Sequence, residues 1–277
     1  MQNKANLYML LATLFFSSMH ALVKDLGHIP IYQLILFRAI LSFVLCIVLI
    51  NRKGIALLGN NKRLLIFRGV FGVLSLSGFY YSLHHMPLAS SVTVTNLRPV
   101  IILFLGAVFL NEKVKPIVWF FFLVSFVGVV IMGSFDARIS NFEIIIILAA
   151  TILSSFSSIV IRKLKDTDDP LVVVFYFSLL TLPVCVPIAI VEWVQPESLE
   201  VWVKLVAVGV LTHFAQYFMT KGFHYSKFKS MASFSYLGLV FAFAFGYFLF
   251  GESFSFYTYL GIGLILFGLV GSYLLTK

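Results

Sequence analysis

The stretch Ser91–Glu112, SVTVTNLRPVIILFLGAVFLNE, is apolar enough to span a membrane, yet it carries Asn96, Arg98 and Pro99 well inside the span. A guanidinium at that depth costs about 2.5–3.5 kcal/mol on insertion scales. It is kept where it meets a partner, a cavity or a ligand. Pro99 adds a break beside the charge, because proline has no amide hydrogen and crowds the preceding turn. A charge and a loosened backbone together at mid-span are what a carrier uses to hold a solute. The competing reading is a structural kink, with Arg98 bonded to backbone carbonyls.

The rest of the chain is built for the same solvent. Of its 277 residues 61% are hydrophobic and 11% charged, where a soluble domain carries about 25% charged residues. The mean hydropathy is +1.03. The apolar runs approach twenty residues, which suits helices and excludes an outer-membrane barrel, whose strands alternate over about ten. The fold class is therefore an all-α polytopic membrane protein. The net charge of +9 lies in short loops, with no basic soluble domain to carry it, so no nucleic-acid partner is expected. Cys46 and Cys185 fall inside apolar runs and read as free thiols. No His/Cys cluster suggests a metal, and no cofactor is expected. The run from Leu7 to Val23 after Lys4 could mimic a signal peptide; its internal counterpart, described next, argues against cleavage.

A nineteen-residue hydropathy window places ten spans, at 5–23, 31–50, 64–84, 88–110, 115–133, 142–161, 170–191, 201–222, 229–250 and 255–275. With both termini cytoplasmic, fourteen Lys and Arg fall on the cytoplasmic side against three outside, leaving Arg38, Arg68 and Arg98 within spans. That asymmetry fixes the orientation. The chain also repeats. Thr13, Ser17, His20 and Lys24 answer Thr151, Ser155, Ser158 and Arg162 at a shift of 138, each set forming one helix face. Gly69, Gly106, Glu112 and Gly128 answer Gly209, Gly246, Glu252 and Gly268 at a shift of 140. Five spans per half is an odd number, so residues 1–137 and 138–277 form two inverted repeats, an arrangement that puts the substrate near the midplane between them.

Two blocks carry a resemblance. They are FYYSLHHMPLASSVTVTNLRPVIILFLGAVFLNE (79–112) and MTKGFHYSKFKSMASFSYLGLVFAFAFGYFLFGE (219–252). With them nearly the whole chain resembles an EamA-type permease of the drug/metabolite transporter superfamily. The start of span 3, RGVFGVLSLSGFYYSL, looks most like the branch containing S-adenosylmethionine carriers. The resemblance implies transport without ATP hydrolysis, a central cavity lined by spans 1, 3, 4, 6, 8 and 9, and spans 5 and 10 as scaffold. The LRP of span 4 departs from the family pattern, which usually has an uncharged residue before the proline.

The candidate substrate contacts are Thr95, Asn96 and Arg98 in span 4, Ser17 and His20 in span 1, and Tyr80 in span 3. Span 8 adds His213, Gln216 and Tyr217, and span 9 adds Tyr236. Gly238, the repeat partner of Arg98, leaves volume where the first half places a charge. Interhelical hydrogen bonding and close packing are the competing roles for the span 8 face and for Gly238. Pro99, Glu112, Glu252 and Gly238 are assigned to gating or structure. Arg38 is expected to snorkel or to pair with Asp25, and Arg68 to snorkel. Proton coupling would need His213 or His20; uncoupled facilitation or exchange fits equally well. These features predict a secondary active or facilitative transporter, working by alternating access as a monomer or homodimer in a bacterial inner membrane. Its substrate would be a small polar, anionic or zwitterionic metabolite such as an amino acid or S-adenosylmethionine. The alternatives are an exporter of drugs, aromatic compounds or lipid-like molecules and, more remotely, a membrane-embedded lipid-modifying enzyme.

Overall fold

Lipid leaves an apolar chain few options, since each backbone N–H and C=O must be paired within the protein. The computed structural model describes residues 2–98, 101–102, 105, 116–135, 139–225 and 229–275. Within these, side chains are described except at 2–6, 118, 122, 132–135, 224–225, 229–237, 239, 269 and 272–275. The described residues form helices and short connections, with no strand among them. The helices of the first half are α1 (Gln2–Asp25), α2 (Ile31–Lys53), α3 (Lys62–His85), α4 (Leu88–Thr95) and α5 (Pro116–Phe135). Those of the second are α6 (Asn141–Leu164), α7 (Pro170–Val191), α8 (Leu199–Tyr225), α9 (Lys229–Phe250) and α10 (Phe256–Leu275). Six of them, α1, α2, α3, α6, α7 and α8, are long and apolar enough to cross a membrane. They coincide with expected spans 1–3 and 6–8.

Local chemistry sets the helix ends. Ser140 and Glu143 form a reciprocal capping box at the start of α6. Asp169 accepts from the Leu171 amide at 2.8 Å, with Pro170 at the first helical position of α7. At the end of α9, Gly251 takes a left-handed φ of 58°, which turns the chain so that the Glu252 amide reaches the Gly246 carbonyl at 2.9 Å.

The molecule is apolar outside, and its interior combines apolar clusters with buried polar side chains. Large exposed side chains recur at helical spacing, as in Leu7, Leu10 and Leu14 on α1 or Ile40, Val44 and Val48 on α2. These stripes face lipid. Buried Ser, Thr, Asn and Arg side chains face inward. The two free cysteines are buried.

The packing of the two halves is reciprocal. α1 packs on α8 and α3 on α6; α2 packs on α7 and α5 on α10. Glycine contacts show the same exchange. A side chain at Gly69 of α3 would meet Leu180 of α7, and one at Gly209 of α8 would meet Leu41 of α2. Gly128 of α5 lies against Gly261 and Ile265 of α10, while Gly268 of α10 lies against Phe121 and Ser125 of α5. Each contact is thus repeated with the roles of the two halves swapped.

Candidate substrate cavity

α1, α3, α4, α6, α8 and α9 surround a cavity of about 240 Å³, and α2 and α7 complete its wall through Arg38 and Phe177. α1 contributes the polar face read from its spacing, Thr13, Ser17 and His20. Arg68, Gly72, Ser75 and Phe79 of α3 line it at i, i+4, i+7 and i+11, one face of a helix. Ser154, Ser157 and Ser158 of α6 and Gln216, Met219 and Phe223 of α8 add to the wall. α4 supplies Thr95 and, at its end, Asn96, with Arg98 beyond. Here the helix tightens. The Asn96 amide donates to both Val92 and Thr93 carbonyls, and that of Leu97 to the Val94 carbonyl at 3.0 Å. Four-residue bonding returns with Ile101 to Leu97. The helix thus tightens just ahead of Arg98; the break expected at Pro99 falls outside the described residues.

Three guanidiniums reach this cavity, and no Asp or Glu is found among its described lining residues. Each arginine is held by a neutral partner. Arg38 donates to the Tyr80 hydroxyl at 3.3 Å, and Tyr80 donates in turn to the Met19 sulfur at 3.3 Å. Arg68 donates to the Gln216 amide oxygen at 3.1 Å. Its guanidinium carbon is 4.3 Å from the centre of the Phe177 ring, and that of Arg38 is 5.5 Å from the same ring. Arg98 donates through Nε to the Ser154 hydroxyl at 3.0 Å. The snorkelling expected of Arg38 and Arg68 does not occur: they are 5% and 3% exposed. Each sits about two turns from the start of its helix, and α2 and α3 run in opposite directions, so the two side chains converge on the middle. Asp25, the partner expected for Arg38, instead accepts from Lys204 at 2.7 Å.

The structure thus brings together Ser17, His20, Thr95, Asn96, Arg98, Gln216 and Gly238. It leaves three other candidates outside the wall. His213 turns toward α2, with Nδ1 3.4 Å from the Ser42 hydroxyl. The Tyr217 hydroxyl accepts from Lys53 at 3.3 Å. Tyr80 is fully buried behind Arg38 and positions it. Pro99, Glu112 and the side chain of Tyr236 lie outside the described residues. Sequence reasoning missed Arg38, Arg68 and Phe177 as lining residues. Two signals for them were present: the polar stripe from Arg68 to Phe79, and the correspondence of Arg38 with Phe177 at a shift of 139, between the shifts of 138 and 140 seen elsewhere.

The family pattern of EamA-like transporters matches this chain twice, over residues 3–134 and 141–274. The chain belongs to the EamA-like transporter family. This places it in the drug/metabolite transporter superfamily as a membrane protein with transmembrane helices. The pseudopaline exporter of Pseudomonas aeruginosa is 29% identical over 244 residues, 87% of this chain and 86% of its own. The S-adenosylmethionine uptake transporter of Rickettsia prowazekii is 25% identical over 80% of this chain and 75% of its own. The riboflavin transporter of Vibrio cholerae is 26% identical over 50% of this chain and 46% of its own. A solved crystal structure shares the fold with a TM-score of 0.71 at 20% identity, covering 99% of this chain and 98% of its own.

In this EamA-like chain a three-way tie joins α1, the start of α4 and the turn after α9. Lys24, one turn beyond His20 on α1, pairs with Glu252 at 3.1 Å and donates to the Met86 carbonyl at 2.9 Å. Glu252 also accepts from the Leu88 amide at 2.9 Å, placing a carboxylate at the positive start of α4. Glu252 thus both pairs with a base and caps a neighbouring helix. The pair is largely buried, with side-chain exposures of 17% and 8%. Glu252→Gln keeps an acceptor for Leu88 but leaves Lys24 without its counter-ion, and should cost about 1–3 kcal/mol. Glu252→Ala removes the acceptor as well. Thermal melting of the purified protein should rank wild type above the glutamine variant and that above the alanine variant; equal midpoints would remove the tie as a structural element.

Proposed function

We propose that this chain is a ten-helix secondary carrier made of two inverted five-helix repeats, with both termini cytoplasmic in a bacterial inner membrane. It moves a small anionic or zwitterionic metabolite through the cavity by alternating access. The observation that carries this reading is the arginine-lined cavity at the junction of the two halves, with no Asp or Glu among its described lining residues. Reciprocal contacts at Gly69 and Gly209, and at Gly128 and Gly268, support a two-fold relation that would let one end open as the other closes. A proton-coupled cycle would draw on His20, which lines the cavity and packs against Phe16 and Phe79. Exchange would need no such group. Phe16, Phe79, Phe177 and Phe223 in the wall suit an apolar or aromatic body on the cargo.

The test is a melting screen followed by flux. Amino acids, carboxylates, nucleotides, S-adenosyl compounds and flavins are offered to the purified protein. A compound at a hundred times its Kd adds about 2.7 kcal/mol to the folded state. Compounds that stabilise are then assayed for saturable counterflow in liposomes. Gly238 supplies the matching variant. A β-carbon there would meet Thr13 at 3.5 Å, an ordinary contact, so Gly238→Ala should fold and transport. Gly238→Phe should fold but fill the cavity and cut flux at least tenfold. Undiminished flux in the phenylalanine variant would move the path elsewhere.

A further inference from the structure

We infer that the cargo is a multiply charged anion, with two or more separated carboxylate or phosphate groups, and that singly charged anions and cations are rejected. This deepens the carrier reading and rests on it. Arg38, Arg68 and Arg98 come from three different helices, α2, α3 and α4, and are anchored to Tyr80, Gln216 and Ser154, none of which is acidic. Each guanidinium has five N–H donors in a planar fork, so most of that capacity remains for a ligand. On two residues of the wall, Asn96 Nδ2 and Arg68 Nε are buried and unpartnered. Asn96 is 8% exposed and Arg68 3%. Unpaired buried donors are costly, and three like charges in one low-dielectric space repel strongly. A single carboxylate would leave two of the three charges uncompensated. A cargo with several charges would meet Arg98 and the Arg38–Arg68 pair, which shares the Phe177 ring, at once.

The experiment uses the full chain purified in detergent. Butyrate, succinate and citrate carry one, two and three carboxylates; pyrophosphate tests phosphate, and S-adenosylmethionine tests a cationic cargo. Melting midpoints are read for the wild type and for Arg38→Gln, Arg68→Gln and Arg98→Gln. The expected result is stabilisation that rises from butyrate to citrate and is absent with S-adenosylmethionine. Each substitution should weaken citrate binding at least tenfold. Without ligand, Arg98→Gln should melt no lower than the wild type, because it removes one of three unpaired like charges. Stabilisation by pyrophosphate equal to that by citrate supports the same inference with phosphate as the preferred group. A flat response across the carboxylate series, stabilisation by S-adenosylmethionine, or citrate binding indifferent to all three arginines overturns it. Saturable flux of a monovalent cargo would overturn this inference and leave the carrier reading standing; lack of saturable flux for every compound in the wider screen would remove the carrier reading itself.

Discussion

Arg98→Ala should reduce transport at least a hundredfold while the purified protein melts within a few degrees of wild type. The two halves of that expectation have separate physical sources. A buried charge pair lost from one side costs about 2–5 kcal/mol, and every 1.4 kcal/mol is a factor of about ten. Arg98 faces the cavity with no acidic residue among the described lining, so its charge is available to a cargo. The fold asks little of it. Its described bond is to the Ser154 hydroxyl at 3.0 Å, and Ser154 already donates to the Thr151 carbonyl at 2.9 Å. The alanine variant therefore loses one hydrogen bond and sheds the cost of holding an uncompensated guanidinium among helices. Arg98→Lys is the informative companion: it keeps the charge but loses the planar fork, and should bind more weakly than wild type and more tightly than alanine. Counterflow in liposomes and thermal melting read the two parts independently. Normal counterflow in the alanine variant would reduce Arg98 to a structural kink residue.

The fold was legible because lipid enforces a simple rule. Long apolar runs must be helices, and the six long apolar helices lie on spans that hydropathy had placed. The cavity wall was legible where polar residues shared one face of an apolar helix, as with Ser17 and His20, or where a charge stood beside a proline, as at Asn96 and Arg98. It was illegible where depth and direction had to be combined. Arg38 and Arg68 each look close to a helix end, and only the opposite senses of α2 and α3 bring them to one ring. Helix faces were also finer than the spacing suggested. His213 and Gln216 are three residues apart on α8, yet Gln216 meets Arg68 and His213 meets Ser42 of α2. About 60° of rotation separates the cavity from a helix interface there. Tyr80 shows a third limit, since a buried tyrosine that positions an arginine leaves the same mark in a sequence as one that touches cargo.

Gly128→Val and Gly268→Val should each destabilise the protein by about 3 kcal/mol, and by similar amounts, because they break the same contact from its two sides. A β-carbon at Gly128 would lie 2.6 Å from the Gly261 carbonyl oxygen, and one at Gly268 would lie 2.5 Å from the Phe121 carbonyl oxygen. Both obstacles are backbone, so no rotamer change relieves them and α5 and α10 must move apart. Overpacking of this kind costs about 1–3 kcal/mol, occasionally more, and lost close packing between small residues removes much of what holds helices together in lipid. The branched side chain puts the cost at the upper end. Neither helix lines the cavity among the described residues, so the loss should show in melting and in expression level before it shows in the affinity of the surviving folded protein for cargo. Gly238→Ala is the control, a glycine of the same half as Gly268 whose neighbour stands at 3.5 Å; it should melt like wild type. Equal damage at Gly128 and Gly268 is what two inverted repeats require. A large loss at one and none at the other would mean that α5 and α10 are not exchanged by a common two-fold axis, and with it would go the geometric basis for alternating access by rocking one half against the other.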